Sequence, residues 1–255
     1  MADARSLNLK PLLLAGGKSS RMGTPKHLLE LPDGRPLYAK LVQLLYQACP
    51  GSSRVYVSVG ENSTMDTPLR NGILRVSVTG SADVADPHDI QLELVKDGPP
   101  SPSSVHAKGP AAGLVAAHAA DPEATWLVTA CDFPLLTADA LHYLRSSYVP
   151  PVTCFRNFEG FNEPLLAIWG PEALRHLAEN ARQGRLSPND AIRDLGGKSV
   201  RPTSNLPGSS VSTADMWLWN VNTEAEWERA KQLLEKEREE PGELHGGCLK
   251  NKTSL

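Results

Sequence analysis

The sequence contains no C-x-x-C pair: its four cysteines, Cys49, Cys131, Cys154 and Cys248, are scattered. That spacing excludes a zinc knuckle or a disulfide framework and fits a reducing, cytoplasmic setting. No run approaches the ~18 apolar residues that a membrane helix needs. Residues 1–10 (MADARSLNLK) lack the apolar stretch of a signal peptide, so the chain is expected to be neither secreted nor inserted. Basic charge is also short. The 26 Lys and Arg are outnumbered by 29 Asp and Glu, for a net charge of −3, and form no dense stripe. Nucleic acid is therefore excluded as a partner, because its binding rests on clustered phosphate-neutralising cations. The seven histidines show no H-x-x-x-H spacing and read as surface or loop residues rather than metal ligands.

What remains is an ordinary globular composition, 40% hydrophobic and 22% charged over 255 residues. Apolar runs of strand length alternate with longer amphipathic stretches, which predicts an α/β fold with a mostly parallel, Rossmann-like sheet flanked by helices. One domain is expected over residues 1–240, with a flexible insertion around 79–108 and a frayed tail at 241–255. Strands are predicted at Leu12–Leu14 (with Pro11 at the first position), Val55–Val59, Ile73–Val78, Ile90–Val95, Thr125–Ala130, Val152–Arg156, Leu165–Trp169 and Trp217–Val221. One of the pair Ile73–Val78 and Ile90–Val95 reads as extra. Helices are predicted over Pro36–Cys49 with Pro36 at N1, Gly109–Ala120, Thr137–Ser147, Pro171–Arg182, Ser187–Leu195 and Glu224–Glu240. The last is read as a solvated face without function, and Trp217, Trp219 and Trp227 as packing residues.

The chemistry begins in LAGGKSSRMGTPK, Leu14 to Lys26. Glycines that follow a strand free backbone N–H groups to converge on an anion, and Lys18, Arg21 and Lys26 add the charge that a triphosphate needs. Gly17-Lys18-Ser19 imitates the end of a Walker A loop, yet its first glycine would fall on Leu12, and no G-x-G-x-x-G is present. An ordinary glycine turn with solvated cations is the competing reading. Asp132 stands just beyond the predicted strand Thr125–Ala130, where open parallel sheets bind ligands. It could instead simply end that strand and organise the turn before the next helix.

Five blocks in order, LAGGKSSRMGTPKHLLEL, GPAAG at 109–113, VTACDFPLL at 128–136, NEPLLAIW at 162–169 and WNVNTEAEW at 219–227, resemble the MobA-like nucleotidyltransferases. The resemblance implies transfer of GMP from GTP to the terminal phosphate of molybdopterin, with Mg2+ as cofactor and pyrophosphate released. It also implies that Leu14, Ala15, Gly16 and Gly17 contact the nucleotide, that Lys26 binds its phosphates and that Asp132 holds the metal. Lys26, Asp132 and Arg21 form the implied catalytic set. Asn62 and Asp97 complete the nucleotide site, with Asp83, Asp86 and Asp89 competing for the role of Asp97. Asn220 and Asn222 line the acceptor side, and Asn162 and Arg185 are further candidates there. The partners implied are a nucleoside triphosphate and a phosphorylated small acceptor, with the chain a monomer or weak homo-oligomer. A relative that moves CMP, AMP or UMP onto another phosphorylated acceptor, or a non-catalytic nucleotide-binding protein, would share the same loop.

Overall fold

Among the described residues eight strands form one mixed sheet: β1 (Leu9–Leu14), β2 (Arg54–Val59), β3 (Ile73–Val76), β4 (His88–Lys96), β5 (Thr125–Ala130), β6 (Val152–Arg156), β7 (Asn162–Trp169) and β8 (Lys198–Val200). Their order is β3-β4-β2-β1-β5-β7-β6-β8, and only β3 and β7 run against the rest. The computed structural model describes residues 8–16, 23–60, 63–76, 88–96, 109–202 and 216–239. Seven helices flank the sheet among these residues: α1 (Leu37–Ala48), α2 (Thr67–Asn71), α3 (Pro110–Ala120), α4 (Ala138–Ser146), α5 (Pro171–Arg182), α6 (Pro188–Asp194) and α7 (Glu224–Glu239). α1 packs on α4 over one face, and α3 on α5 over the other. None of the described helices is long and apolar enough to cross a membrane.

The central strands are apolar on both faces because helices cover both, the composition that parallel strands require. Leu12, Leu13, Val57, Leu127 and Val128 are fully enclosed. Trp126 and Trp169, opposite one another in the β5–β7 register, are the largest enclosed side chains. Tyr56 meets the edge of the Trp126 ring at 4.9 Å, a favoured aromatic geometry.

Several expectations change in detail. Pro11 is the third residue of β1, not the first; it is paired with Leu127 of β5, and the β2 pairing begins only at Leu12. Pro36 is the N-cap of α1 rather than its first helical residue. Both Ile73–Val76 and Ile90–Val95 belong to the sheet, the first as an antiparallel edge and the second inside parallel β4. Residues 88–96 of the proposed insertion are thus a structural strand; 77–87 and 97–108 lie outside the described residues. Trp217–Val221 is a turn and irregular chain, not a strand. His27 is buried, and its Nε2 lies 2.8 Å from the Thr64 carbonyl, contrary to a surface placement.

The small-residue composition of α3 has a steric cause. A Cβ on Gly113 would lie 2.6 Å from Leu14 Cδ2 and 2.7 Å from Ser58 Oγ, so the helix approaches the ends of β1 and β2 at a distance only glycine permits. Gly113→Ala is expected to destabilise the chain by about 1–3 kcal/mol through overpacking. That corresponds to a fall of about 2–10 °C in Tm. A melting curve unchanged from wild type would show that the approach is slack.

Candidate functional site

The C-terminal edge of the parallel strands gathers residues that are remote in sequence. Cys131 N–H donates to the Leu14 carbonyl at 3.3 Å, and Ala15 N–H to the Ser58 carbonyl at 2.8 Å, so β1, β2 and β5 end together. Asp132 follows directly. Its carboxylate accepts from Lys26 Nζ at 2.6 Å, and the same ammonium donates to Asn222 Oδ1 at 2.9 Å. Both members of the ion pair are largely shielded, with 17% of the Lys26 and 26% of the Asp132 side chain exposed. Lys26 stands in a single 3₁₀ turn, Lys26–Leu28, between the glycine-rich loop and α1.

Asn222 is held in turn. Its Nδ2 donates to Asn220 Oδ1 at 2.8 Å, and Val221 N–H donates to the Asp132 carbonyl at 2.9 Å, which fastens the N-V-N segment to the β5 turn. Thr223 and Glu226 form a reciprocal cap at the start of α7. Glu226 Oε2 accepts from the N–H groups of Asn222 (2.7 Å) and Thr223 (2.9 Å), while Glu226 N–H faces Thr223 Oγ1 at 3.3 Å. Donation from Asn222 N–H lowers the carboxyl pKa of Glu226 below its ordinary value. The T-x-x-E pattern at 223–226 is the sequence signal of this cap.

Lys40 of α1 reaches the other side of the turn and donates to the Pro134 carbonyl at 2.7 Å. Burial lowers its pKa to about 8. A third carboxyl, Glu163 at the start of β7, also belongs to this end. Desolvation raises its pKa first, Asn157 Nδ2 at 2.9 Å opposes that, and the negative charge of Asp132 raises it further. The sequence reading chose Asn162 instead. Neighbouring strand residues face opposite sides, and Asn162 Oδ1 accepts from Ser199 Oγ at 2.7 Å.

The predicted residues therefore divide. Lys26, Asp132, Asn220 and Asn222 come together, with the ends of Leu14 and Ala15 beside them and Gly16 exposed. Arg185 is engaged by Asn180, Gln183 and Asp194 around the α5–α6 connection. Asp89 fails as a nucleoside ligand, since it begins β4 at the opposite end of the parallel strands and pairs with Arg75 at 3.0 Å. Gly17, Lys18, Arg21, Asn62, Asp83, Asp86 and Asp97 lie outside the described residues.

Asp132 and Asn222 offer hard oxygen donors that already converge on one cation, the Lys26 ammonium. That donor chemistry suits Mg2+, which takes one or two carboxylates and completes its shell with water and phosphate oxygens. Among the described residues no group of three or more His, Cys, Asp or Glu could hold a metal.

A parallel-stranded edge that gathers a lysine, an aspartate and a paired-asparagine segment stands where open α/β sheets bind ligands. The chain belongs to the MobA-like NTP transferase domain family, whose model matches residues 11–198, and it is a nucleotidyltransferase of that family. It is 34% identical over 211 residues to a molybdenum cofactor guanylyltransferase of Pseudomonas fluorescens, covering 80% of this chain and 89% of that one. Identity is 28% over 219 residues to a molybdenum cofactor biosynthesis bifunctional protein of Synechocystis, covering 84% of this chain; the match spans 54%, about half, of that relative's length. The fold is shared with a molybdopterin-guanine dinucleotide biosynthesis protein A from Archaeoglobus fulgidus, at TM-score 0.59 and 18% identity, over 89% of this chain and all of that one.

Lys40 makes the stability of this region pH-dependent in a defined direction. Its pKa near 8 in the folded chain lies below the ordinary lysine value of 10.5, so between these pH values the unfolded chain binds more protons and stability rises with pH. Wild type is expected to gain Tm relative to Lys40→Met between pH 8 and pH 10. A constant gap would mean that the amine is hydrated.

Proposed function

We propose that the chain transfers GMP from GTP to the terminal phosphate of molybdopterin. The observation that carries this reading is the Lys26 ammonium bound by Asp132 and Asn222 where β1 and β5 end. The names of the relatives supply the base and the acceptor. A reducing, cytoplasmic setting accompanies the proposal, and the buried thiols Cys49, Cys131 and Cys154 are compatible with it.

An acceptor phosphate oxygen is already anionic, so its attack on the α-phosphorus needs no general base. The new O–Pα bond forms as the bond to the β-phosphate oxygen breaks, and the electron pair leaves with pyrophosphate. What the protein must supply is alignment and relief of charge repulsion. Lys26 gives a fixed cation beside the reacting phosphates. Asp132 would hold Mg2+, which when bound neutralises phosphate charge and polarises the α-phosphoryl group. Asn222, fixed by Asn220 and the Glu226 cap, keeps the acceptor side of the cleft in register with Asp132. The glycine-rich loop contributes backbone N–H groups to the triphosphate, and Asp97 and Asn62 remain candidates for the nucleoside.

The test is pyrophosphate release with GTP, CTP, ATP or UTP, each with Mg2+ and molybdopterin. GTP should support turnover well above the other three; preference for another nucleotide would replace the guanylyl assignment. Lys26→Ala should reduce kcat by about 10²–10³-fold with little change in Tm, the scale of losing one charge-stabilising donor. Asp132→Asn keeps the turn's shape but removes the charge. It should shift the Mg2+ requirement to much higher concentration while apo stability stays close to wild type. Identical Mg2+ titrations for Asp132→Asn and wild type would make Asp132 a turn-former only.

A further inference from the structure

The β6–β7 hairpin beside Asp132 is built to aim three side chains that phosphate chemistry does not need. Its ladder is regular from Phe155·Glu163 through Arg156·Asn162, and it continues into the turn, where Asn157 N–H donates to the Phe161 carbonyl at 2.9 Å. Gly160 N–H donates to the Asn157 carbonyl at 3.0 Å, and Gly160 takes a φ of 90° to close the turn. Directly opposed residues share a face. Asn157, Phe161, Phe155 and Glu163 therefore lie on one side, and Phe155 stacks 6.2 Å from Tyr143 of α4, which fixes that side as the α1–α4 face.

Further along, the β6–β7 register breaks between Cys154 and Phe155, at the point where Pro164 stands in β7. Such irregularities re-aim side chains next to functional sites. Here the break separates the pairing of Glu163 from that of Ala167, so the direction of Glu163 is set by the hairpin and not by the deeper sheet.

Asn157 locks this arrangement. Its Oδ1 accepts from Phe161 N–H at 2.9 Å, and its Nδ2 donates to Glu163 Oε1 at 2.9 Å. The second carboxylate oxygen of Glu163 has no hydrogen bond among the described residues. Phe161 is 65% exposed and Phe158, at the tip, 67%. Glu163 feels the negative charges of Asp132 and, more weakly, Glu159. A half-buried carboxylate at the edge of a site for anionic phosphates repels phosphate groups. Toward a ligand part that donates hydrogen bonds, the same carboxylate is an acceptor. Phe161 lies two residues from Glu163, about 7 Å along the strand, and offers a planar apolar face to the same ligand.

We propose that the Asn157–Phe161–Glu163 face of the β6–β7 hairpin binds the ring end of the acceptor: a planar heteroaromatic with two adjacent N–H donors on one edge. The free Glu163 oxygen accepts from that edge, and the Phe161 ring covers its plane. The identity of the ring rests on the molybdopterin reading above, which makes it a 2-amino-4-oxopteridine. Glu163 is then a specificity-determining residue, while the acceptor phosphate lies toward Lys26.

The test uses the full chain and two probes, 2-amino-4-oxopteridine and 2,4-dioxopteridine, the second of which replaces the amino donor with a carbonyl. Binding is followed by pteridine fluorescence. Wild type should bind the amino compound at least tenfold more tightly than the dioxo compound. Glu163→Gln retains an oxygen for Asn157 Nδ2 but presents an NH₂ in place of the free acceptor, so the hairpin persists and that preference should disappear. Phe161→Ala should weaken both probes severalfold without changing their ratio. Stabilisation by GTP, read as Tm, should be unchanged in both variants. No measurable binding of the amino compound to wild type, equal affinity of wild type for the two probes, or an undiminished preference in Glu163→Gln would each overturn the proposal. The probe preference with no effect of GTP on Tm would retain the ring site and reject the guanylyl reading; normal GTP-dependent turnover without the preference would do the reverse.

Discussion

One ammonium group holds the candidate site together. Lys26 lies 106 residues from Asp132 and 196 from Asn222, and its Nζ is bonded to both. Such a shielded ion pair is poor evidence of net stability, because desolvating two charges offsets much of their attraction. Its value is positional: both side chains keep some exposure, so water can replace a lost partner while the fixed geometry is lost. The segment before α1, the turn after β5 and the segment before α7 are consequently fixed relative to one another.

Two of those segments have a second anchor that does not use Lys26. The β5 turn is tied to α1 by Lys40 through the Pro134 carbonyl. The N-V-N segment is tied to the same turn by Val221 N–H and to α7 by the Thr223–Glu226 cap. Gly113 lets α3 press against Leu14 and Ser58, so the strand ends are braced from the opposite face. The candidate site residues therefore sit on short segments whose backbones are determined by regular elements, the condition under which positioning can contribute to rate.

Much of the fold was legible because it depends on local pattern. The helix over Pro171–Arg182 is marked by proline at its first position, the enclosed strand over Thr125–Ala130 by a continuous apolar run, and both stand where the pattern put them. Trp217–Val221 misled because an apolar, aromatic-rich run satisfies strand periodicity while its backbone groups are taken by the Asp132 turn and by local bonds. His27 misled because burial of a single histidine depends on what packs over it, and a lone residue has no periodicity to disclose that.

By itself the sequence determined an α/β chain, the glycine-rich loop after β1, and the residue types Lys26, Asp132, Asn220 and Asn222, because chain order and composition carry those. It also carried the family resemblance, since motif blocks survive in one dimension. Only the tertiary structure decided which of these share an environment. Asp89 was removed by strand direction, which is set by pairing with β2 and not by local sequence. Arg185 proved to be held by Asn180 and Asp194, brought together by the packing of α5 on α6. Glu163, unremarked in a proline-containing strand, comes within electrostatic reach of Asp132 beside a register break, and register is a property of two strands rather than one.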